Sequence, residues 1–366
     1  MIQDMKSDIC LIKKRHKTRE IRIKDLTIGG SNIIRIQSMC NIKTAYFKKV
    51  LNQIKKLENA GCEIVRVSVK DDDDINGLKK IIKSAELPVV ADIHFDYKLA
   101  LKSVEAGVSK LRINPGNITD KWKIKEIVSA AKNNDVPIRI GVNLGSLEKS
   151  LLQKLEAGKI SVENAMLESA LSETAYLEEL DFKNIVVSLK TSDVLSTVKS
   201  YMLFSKKRNY PLHIGITETG TLRCGLIKSS IGLSQILSYG LGDTIRVSLS
   251  ADPVEEVYAA YKILGALNLR KDTPDLIACP TCGRTEINLI KIAGEVEKIL
   301  FNVRKPIKVA VMGCAVNGPG EARDADIGIT GGKGVGLLFK KGKIVKKVKE
   351  SEILGVLKKE LDAMIK

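Results

Sequence analysis

Aromatic residues make up 4% of the chain, with a single tryptophan. Stacking platforms for single-stranded nucleic acid need more than that. Histidine is scarcer still. His16, His94 and His213 are the full set, all far upstream of the C-terminal cysteines, which works against a Cys/His zinc centre. No apolar run approaches the roughly 18–20 residues of a membrane span. The N-terminus, M-I-Q-D-M-K-S-D-I-C, has no apolar h-region, so no signal peptide is expected. No C-x-x-x-C-x-x-C run exists, which argues against the common radical-SAM arrangement. I-T-G-G-K-G-V-G at 329–336 does not fit G-x-x-x-x-G-K-[ST], and its glycines read as turns. Acidic residues are in deficit, 43 against 60 basic ones, for a net charge of +17. That balance raises nucleic acid as a partner. The lysines, however, are scattered along helical patterns and alternate with Glu and Asp. A solvated basic surface, or a basic interior that receives an anionic metabolite, are the other readings.

The chain is 44% hydrophobic and, at 366 residues, long enough for one large domain and one small one. Its seven cysteines include an odd one. A chain this size needs no disulfide staples, so a reducing cytoplasm is the expected setting. Ile/Val-rich strand patterns fall near 33–38, 63–69, 88–93, 109–113, 137–142, 184–189, 211–216 and 243–248. Helical patterns fill the intervals, with two helices expected in the longer one at 147–181. Eight β-then-α units argue for parallel strands with crossover helices and for a TIM (β/α)8 barrel. A doubly wound sheet would carry a glycine-rich loop after its first strand, whereas G-G-S-N here precedes that strand. D-D-D-D at 71–74 reads as a solvated loop. Composition shifts at K-D-T-P-D, 271–275. The expected division is a barrel over 1–270 and a small α+β domain over 271–366.

Four barrel strands share one oddity: V-R-V at 65–67, L-R-I at 111–113, I-R-I at 138–140 and I-R-V at 245–247. Strand alternation puts Arg66, Arg112, Arg139 and Arg246 on one face and their β-branched neighbours on the other. If the apolar face meets the helices, the arginines face the barrel interior. Each could pair with an internal carboxylate. Together they favour an anion cage, since guanidinium forks match phosphate oxygens. Asp92, His94, Asn114, Asn143, Lys190, Glu218 and Ser248 cluster at expected strand C-termini, the face where barrel enzymes build active sites. Glu218 and His94 are the candidate acid/base groups.

Cys279 and Cys282 lie in I-A-C-P-T-C-G-R; Cys314 and Glu321 lie in V-M-G-C-A-V-N-G-P-G-E. Soft thiolates select zinc, copper(I) or iron–sulfur clusters. Three thiolates plus an oxygen ligand suit a [4Fe–4S] cluster with one distinctive iron. A structural zinc knuckle or a redox thiol pair remains open from spacing alone.

V-A-D-I-H-F-D-Y, L-R-I-N-P-G-N-I, P-I-R-I-G-V-N, A-D-P-V-E-E, I-A-C-P-T-C and the Cys314 segment, in this order, resemble the bacterial IspG/GcpE family. These are the 4-hydroxy-3-methylbut-2-enyl diphosphate synthases of the non-mevalonate isoprenoid pathway. The resemblance runs from about residue 20 to the Gly-rich segment near 336. It implies a TIM barrel joined to a small cluster-binding domain, in a homodimer. It implies reductive opening of 2-C-methyl-D-erythritol 2,4-cyclodiphosphate with loss of water, with electrons from flavodoxin or ferredoxin. By motif, Cys279, Cys282, Cys314 and Glu321 match the cluster ligands. Arg66, Arg112, Arg139 and Lys190 match the diphosphate-binding groups; Asp92, His94, Asn143, Glu218, Arg246 and Ser248 match other active-site positions. Three departures stand out: Cys40 where threonine is more frequent, Thr219 where alanine is, and an added Arg35. A pterin- or phosphate-binding barrel synthase with a zinc appendage, and a basic RNA-binding protein, are the rival classes.

Overall fold

The computed structural model describes residues 11–118, 120–315 and 322–365. It divides into two compact units, one ending at Ile263 and one running from Leu264.

The first unit opens with a short antiparallel hairpin, β1 (Ile21–Ile23) and β2 (Leu26–Ile28). Eight parallel strands follow: β3 (Arg35–Met39), β4 (Ile64–Ser68), β5 (Val89–Asp92), β6 (Lys110–Ile113), β7 (Ile138–Asn143), β8 (Ile185–Lys190), β9 (His213–Ile214) and β10 (Thr244–Ile245). Their order is β8-β7-β6-β5-β4-β3-β10-β9, and a parallel bridge between Val187 and Leu212 links the two ends. This nearly closed ring is the barrel that the eight units predict. Between strands run α1 (Phe47–Asn59), α2 (Asp72–Ser84), α3 (Tyr97–Glu105), α4 (Lys121–Asn133), α5 (Lys149–Glu156), α6 (Val162–Glu179), α7 (Val194–Ser205) and α8 (Leu222–Ser238). After β10 comes α9 (Pro253–Ala266).

Local chemistry explains the helix starts and faces. α1 buries Val50, Ile54 and Leu57, the i, i+4, i+7 stripe of a core-facing helix. Asp71, Asp96 and Asp193 accept first-turn backbone N–H groups of α2, α3 and α7. The hairpin residues Ile21, Ile23 and Ile28 pack with Ile64, Val90 and Val186. Those three share strand parity with Arg66, Asp92 and Lys190, so they point inward. The hairpin therefore seals the N-terminal end of the barrel with apolar side chains and leaves the C-terminal end polar.

Two expectations need correcting. D-D-D-D is not a solvated loop. Asp71 caps α2, and Asp72–Asp74 form its acidic first turn, favoured by the helix dipole. Asp74 is fully buried and accepts from the Ala45 and Lys70 N–H groups. The last two barrel strands are also shorter than expected. Regular ladder covers two residues in each, although Arg246 N–H still reaches Ile214 C=O at 3.0 Å.

The second unit holds a five-stranded sheet ordered β11 (Asp275–Ala278), β12 (Lys308–Met312), β13 (Ile327–Gly332), β14 (Val335–Lys340) and β15 (Lys343–Lys349). β11, β12 and β13 are parallel; β14 and β15 continue antiparallel. α10 (Leu289–Leu300) and α11 (Ile353–Ile365) share one core with the sheet, where Leu289, Ile292, Val296, Leu357 and Leu361 meet Val309, Val311, Ile327 and Ile329. α10 starts only at Leu289. Residues 285 and 286 are taken by the cysteine turn: Thr285 N–H donates to Cys282 C=O and Glu286 N–H to Gly313 C=O.

Candidate active site

Parallel pairing sets Asp92 of β5 opposite Arg112 of β6, and Arg112 opposite Arg139 of β7. Arg112 Nη1 donates to Asp92 Oδ1 at 3.0 Å and lies 3.0 Å from His94 Nε2. Arg66 Nε sits 3.6 Å from Asp92 Oδ2. It also points Nε and Nη2 at Met39 Sδ, at 3.1 and 2.9 Å. Asn143 ends β7, and its amide oxygen is set to accept from Arg112 Nη2 at 3.3 Å. Arg246 is held in a two-pronged pair by Glu256 of α9, at 3.2 and 3.1 Å.

The charges do not balance. Arg66, Arg112, Arg139, Lys190 and Arg246 are five cations, and the carboxylates that pair with them are Asp92 and Glu256. Arg139 is 2% exposed, with Nε and Nη1 buried and unpartnered among the described residues. Burial first, then Arg66 and Arg112, push its pKa well down. Burial first, then Arg139 and Arg246, do the same to Lys190. Arg66 falls to about 10 through burial, against the pull of Asp92. Asp92 moves the other way. Burial alone would raise it, but Arg66, the His94 hydrogen bond, Arg112 and Arg139 hold it well below the usual carboxylate range. Cations crowded this way in a low dielectric lack an anion.

Two glycines make the crowding possible. A methyl on Gly141 would lie 2.6 Å from Arg112 Nε. One on Gly215 would lie 2.6 Å from Lys190 Nζ. Beside the cage, at the C-terminal ends of β3, β4 and β5, opens a hollow of about 850 Å³ lined by Met39, Asn41, Ser68, Asp92 and His94 among others.

Glu218 lies on the loop after β9, exposed, with φ at 53°. A non-glycine residue in the left-handed region carries strain that its surroundings must hold. The loop is tied on both sides: Thr217 N–H to Thr191 C=O, Ser250 N–H to Gly220 C=O, and the Thr219 hydroxyl to Ser248 C=O. Glu218 and Ser248 thus share the C-terminal mouth with the cage.

The sequence reading passed over several inward groups. Met39 and Glu256 steer Arg66 and Arg246. Below them lies a second polar tier. Lys110, fully buried, reaches Gln37 Oε1 at 3.3 Å, and His213, fully buried, meets Thr244 Oγ1 at 2.8 Å. Lys110 has the strand parity of Arg112, so alternation could have found it. Arg35 is an ordinary ion pair with Glu63 at 2.7 Å. Cys40 and Cys62 are buried, and burial pushes both thiols up to about 12, which makes them inert.

In the second unit, Cys279 follows β11 and Cys314 lies two residues past β12. These strands are adjacent, with Ala278 opposite Val311. Gly313 N–H donates to Cys279 Sγ at 3.1 Å. Hydrogen bonds from the Arg284 backbone and side chain draw the Cys282 thiol down. Thr330 Oγ1 donates to Cys314 C=O at 2.7 Å. Among the described residues no three Cys, His, Asp or Glu side chains are gathered at metal-holding distance. Glu321 lies outside the described residues.

A (β/α)8 barrel with a cationic C-terminal mouth, followed by a thiol-bearing α+β unit, is a two-unit barrel enzyme. The chain belongs to the GcpE family. The family's TIM-barrel domain matches residues 18–261 and its C-terminal domain matches 275–363. It is 55% identical to "4-hydroxy-3-methylbut-2-en-1-yl diphosphate synthase (flavodoxin)" of Caldanaerobacter subterraneus subsp. tengcongensis over 97% of this chain and 99% of that one. It is 54% identical to the protein of the same name from Clostridium acetobutylicum, over 96% of this chain and all of the other. Among solved structures, a Plasmodium falciparum HPPK-DHPS superposes with a TM-score of 0.51 at 15% identity, covering 70% of this chain and 51% of that one; this likeness is one of fold alone. No helix among the described residues is long and apolar enough to cross a membrane.

Proposed function

We propose that the chain converts 2-C-methyl-D-erythritol 2,4-cyclodiphosphate to 4-hydroxy-3-methylbut-2-enyl diphosphate and water, taking up two electrons and two protons. Flavodoxin, the donor in its relatives' names, or ferredoxin would supply the electrons. The observation that carries this reading is Arg139, a buried guanidinium with two unpartnered nitrogens beside Arg66, Arg112 and Lys190. Membership of the family narrows the missing anion to a diphosphate.

The donor set suits an iron–sulfur group. Cys279, Cys282 and Cys314 are three soft ligands on neighbouring turns. Gly313 N–H already donates to Cys279 Sγ, and the Cys282 thiol is drawn down toward thiolate. Cys279, Cys282, Cys314 and Glu321 would hold a [4Fe–4S] cluster. Such a cluster supplies single-electron transfers and, at the iron that lacks a cysteine, Lewis acidity toward an oxygen.

The barrel does the rest. Arg66, Arg112, Arg139 and Lys190 bind the diphosphate. Asp92 and Asn143 orient Arg112, and Glu256 orients Arg246. His94 lines the hollow beside the cage, and the Ser248 carbonyl holds the Glu218 loop through Thr219. Glu218 holds a proton for the departing oxygen at the mouth.

The test is preparation without oxygen. The protein should be brown and carry about four irons per chain. Cys279→Ser, Cys282→Ser and Cys314→Ser should each lose iron and turnover. Full conversion of the cyclic diphosphate by colourless, zinc-loaded protein would overturn the reading.

A further inference from the structure

The end of the C-terminal sheet that carries the cysteines has a second feature. A hollow of about 560 Å³ opens there, lined by Asn288, Lys291, Gly334, Lys349, Glu350 and Leu354 among others. Strand register ties it to the thiols. Met312 lies opposite Thr330, and Gly332 opposite Val335, which lies opposite Lys349. Cys314, two residues beyond Met312, is therefore level with Lys349, three strand spacings away, or roughly 14 Å at ~4.8 Å each.

The surface around the hollow is rich in lysine. Lys291, Lys333, Lys346, Lys347 and Lys349 are exposed, and none forms an ion pair among the described residues. Three carboxylates lie among these lysines: Glu350, which lines the hollow and accepts the Asn288 N–H, Glu352, which accepts the Lys349 N–H, and the exposed Glu286. Lysines along β15 alone would be explained as protection of an edge strand against pairing. That account covers Lys343, Lys346 and Lys347. It does not cover a concavity that Lys349 shares with Lys291 of α10.

We propose that this end of the sheet is the docking surface for a small acidic electron-carrier protein. The proposal rests on the functional reading above, which requires such a donor. Unpaired lysines select and steer an acidic partner. Redox partners meet through small contacts, and this patch is small. Docked there, the carrier's redox group would come within a few strand spacings of the cysteine turns, so an electron need not cross the barrel.

Two double variants carry the same change of charge. K291E/K349E alters the proposed surface. K341E/K343E alters the other end of β15, about six residues or ~20 Å away along the strand. Titration calorimetry with oxidised flavodoxin should show affinity lowered about tenfold or more for the first pair, with the second near wild type. Turnover driven by reduced flavodoxin should fall in parallel, while turnover driven by dithionite and the iron content stay unchanged. Equal losses in both variants, or none in K291E/K349E, would overturn the docking surface and leave the functional reading standing. A wild-type, iron-loaded chain that converts the cyclic diphosphate with neither reductant would overturn that reading, and this proposal with it.

Discussion

Arg112 is the most connected side chain of the cage. It touches Asp92 and His94, and Asn143 is set to join it. Arg112→Lys keeps the charge but loses the fork. Loss of a charge-assisted, two-pronged contact costs about 1.5–3 kcal/mol, so KM for the cyclic diphosphate should rise about 10–100-fold. The visible spectrum of the reconstituted protein should not change. Glu218→Gln keeps the shape of the strained loop but removes the proton. It should lower kcat about 10²–10⁴-fold with little change in KM. Wild-type kinetics in both variants would move the active site away from the barrel mouth. Gly215→Ala tests the crowding itself. Its methyl would press on Lys190 Nζ and on the Arg246 carbonyl, each 2.6 Å away. Forcing that space open should cost about 1–3 kcal/mol of stability and weaken substrate binding, read by denaturant melts and by KM.

Most elements were legible because each obeys one period. Strands β3 to β8 and helices α1 to α4 fall within a few residues of the segments that hydrophobic alternation and 3.6-residue stripes outline. The arginine cage was legible for the same reason, since a charged centre between two β-branched neighbours is a strand with one odd face. What escaped depended on tertiary partners. The hairpin of β1 and β2 has strands of three residues each, too short to show a period. Asp74 looked solvated because its burial is set by the Ala45 and Lys70 N–H groups, which the fold brings to it. The cysteine turn displaced the start of α10 by using backbone N–H groups that a helix would otherwise take.

α6 carries a further hidden group. Glu173 is buried; Ser169 donates to its Oε1, and Oε2 has no partner among the described residues. Burial raises its pKa from 4.5 to about 8. In the unfolded chain this carboxyl releases its proton near 4.5; in the fold it keeps it to about 8. Between those values the native state binds more protons, so stability is full below about 4.5 and is lost as pH rises toward 8. Glu173→Gln stays neutral throughout. The melting temperature of the wild type should fall, relative to Glu173→Gln, from pH 5 to pH 8. Parallel curves across that range would show that Glu173 titrates normally.

At the scale of the whole molecule the proposed reaction calls on both units, the barrel for the anion and the thiol-bearing unit for the electrons. The connection is short. α9 ends at Ala266 and β11 begins at Asp275. The residues between, 267–274, would span roughly 26–29 Å fully extended. A barrel helix also returns the chain from the catalytic end of its strand to the opposite end, so α9 runs away from the cage. We propose a closed two-fold dimer in which each second unit serves the partner's barrel, so that two equivalent contacts form at once. This head-to-tail arrangement is a proposal with a direct test. A Cys314→Ser chain lacks electrons but has an intact cage. A Glu218→Gln chain has the reverse. Neither should turn over alone. In their mixed dimer one composite site is whole, so activity should return to about half of the wild-type value per dimer. Differently tagged chains allow the mixed species to be purified and its composition checked. An inactive mixed dimer, of proven composition and loaded with iron, would mean that each chain serves its own barrel.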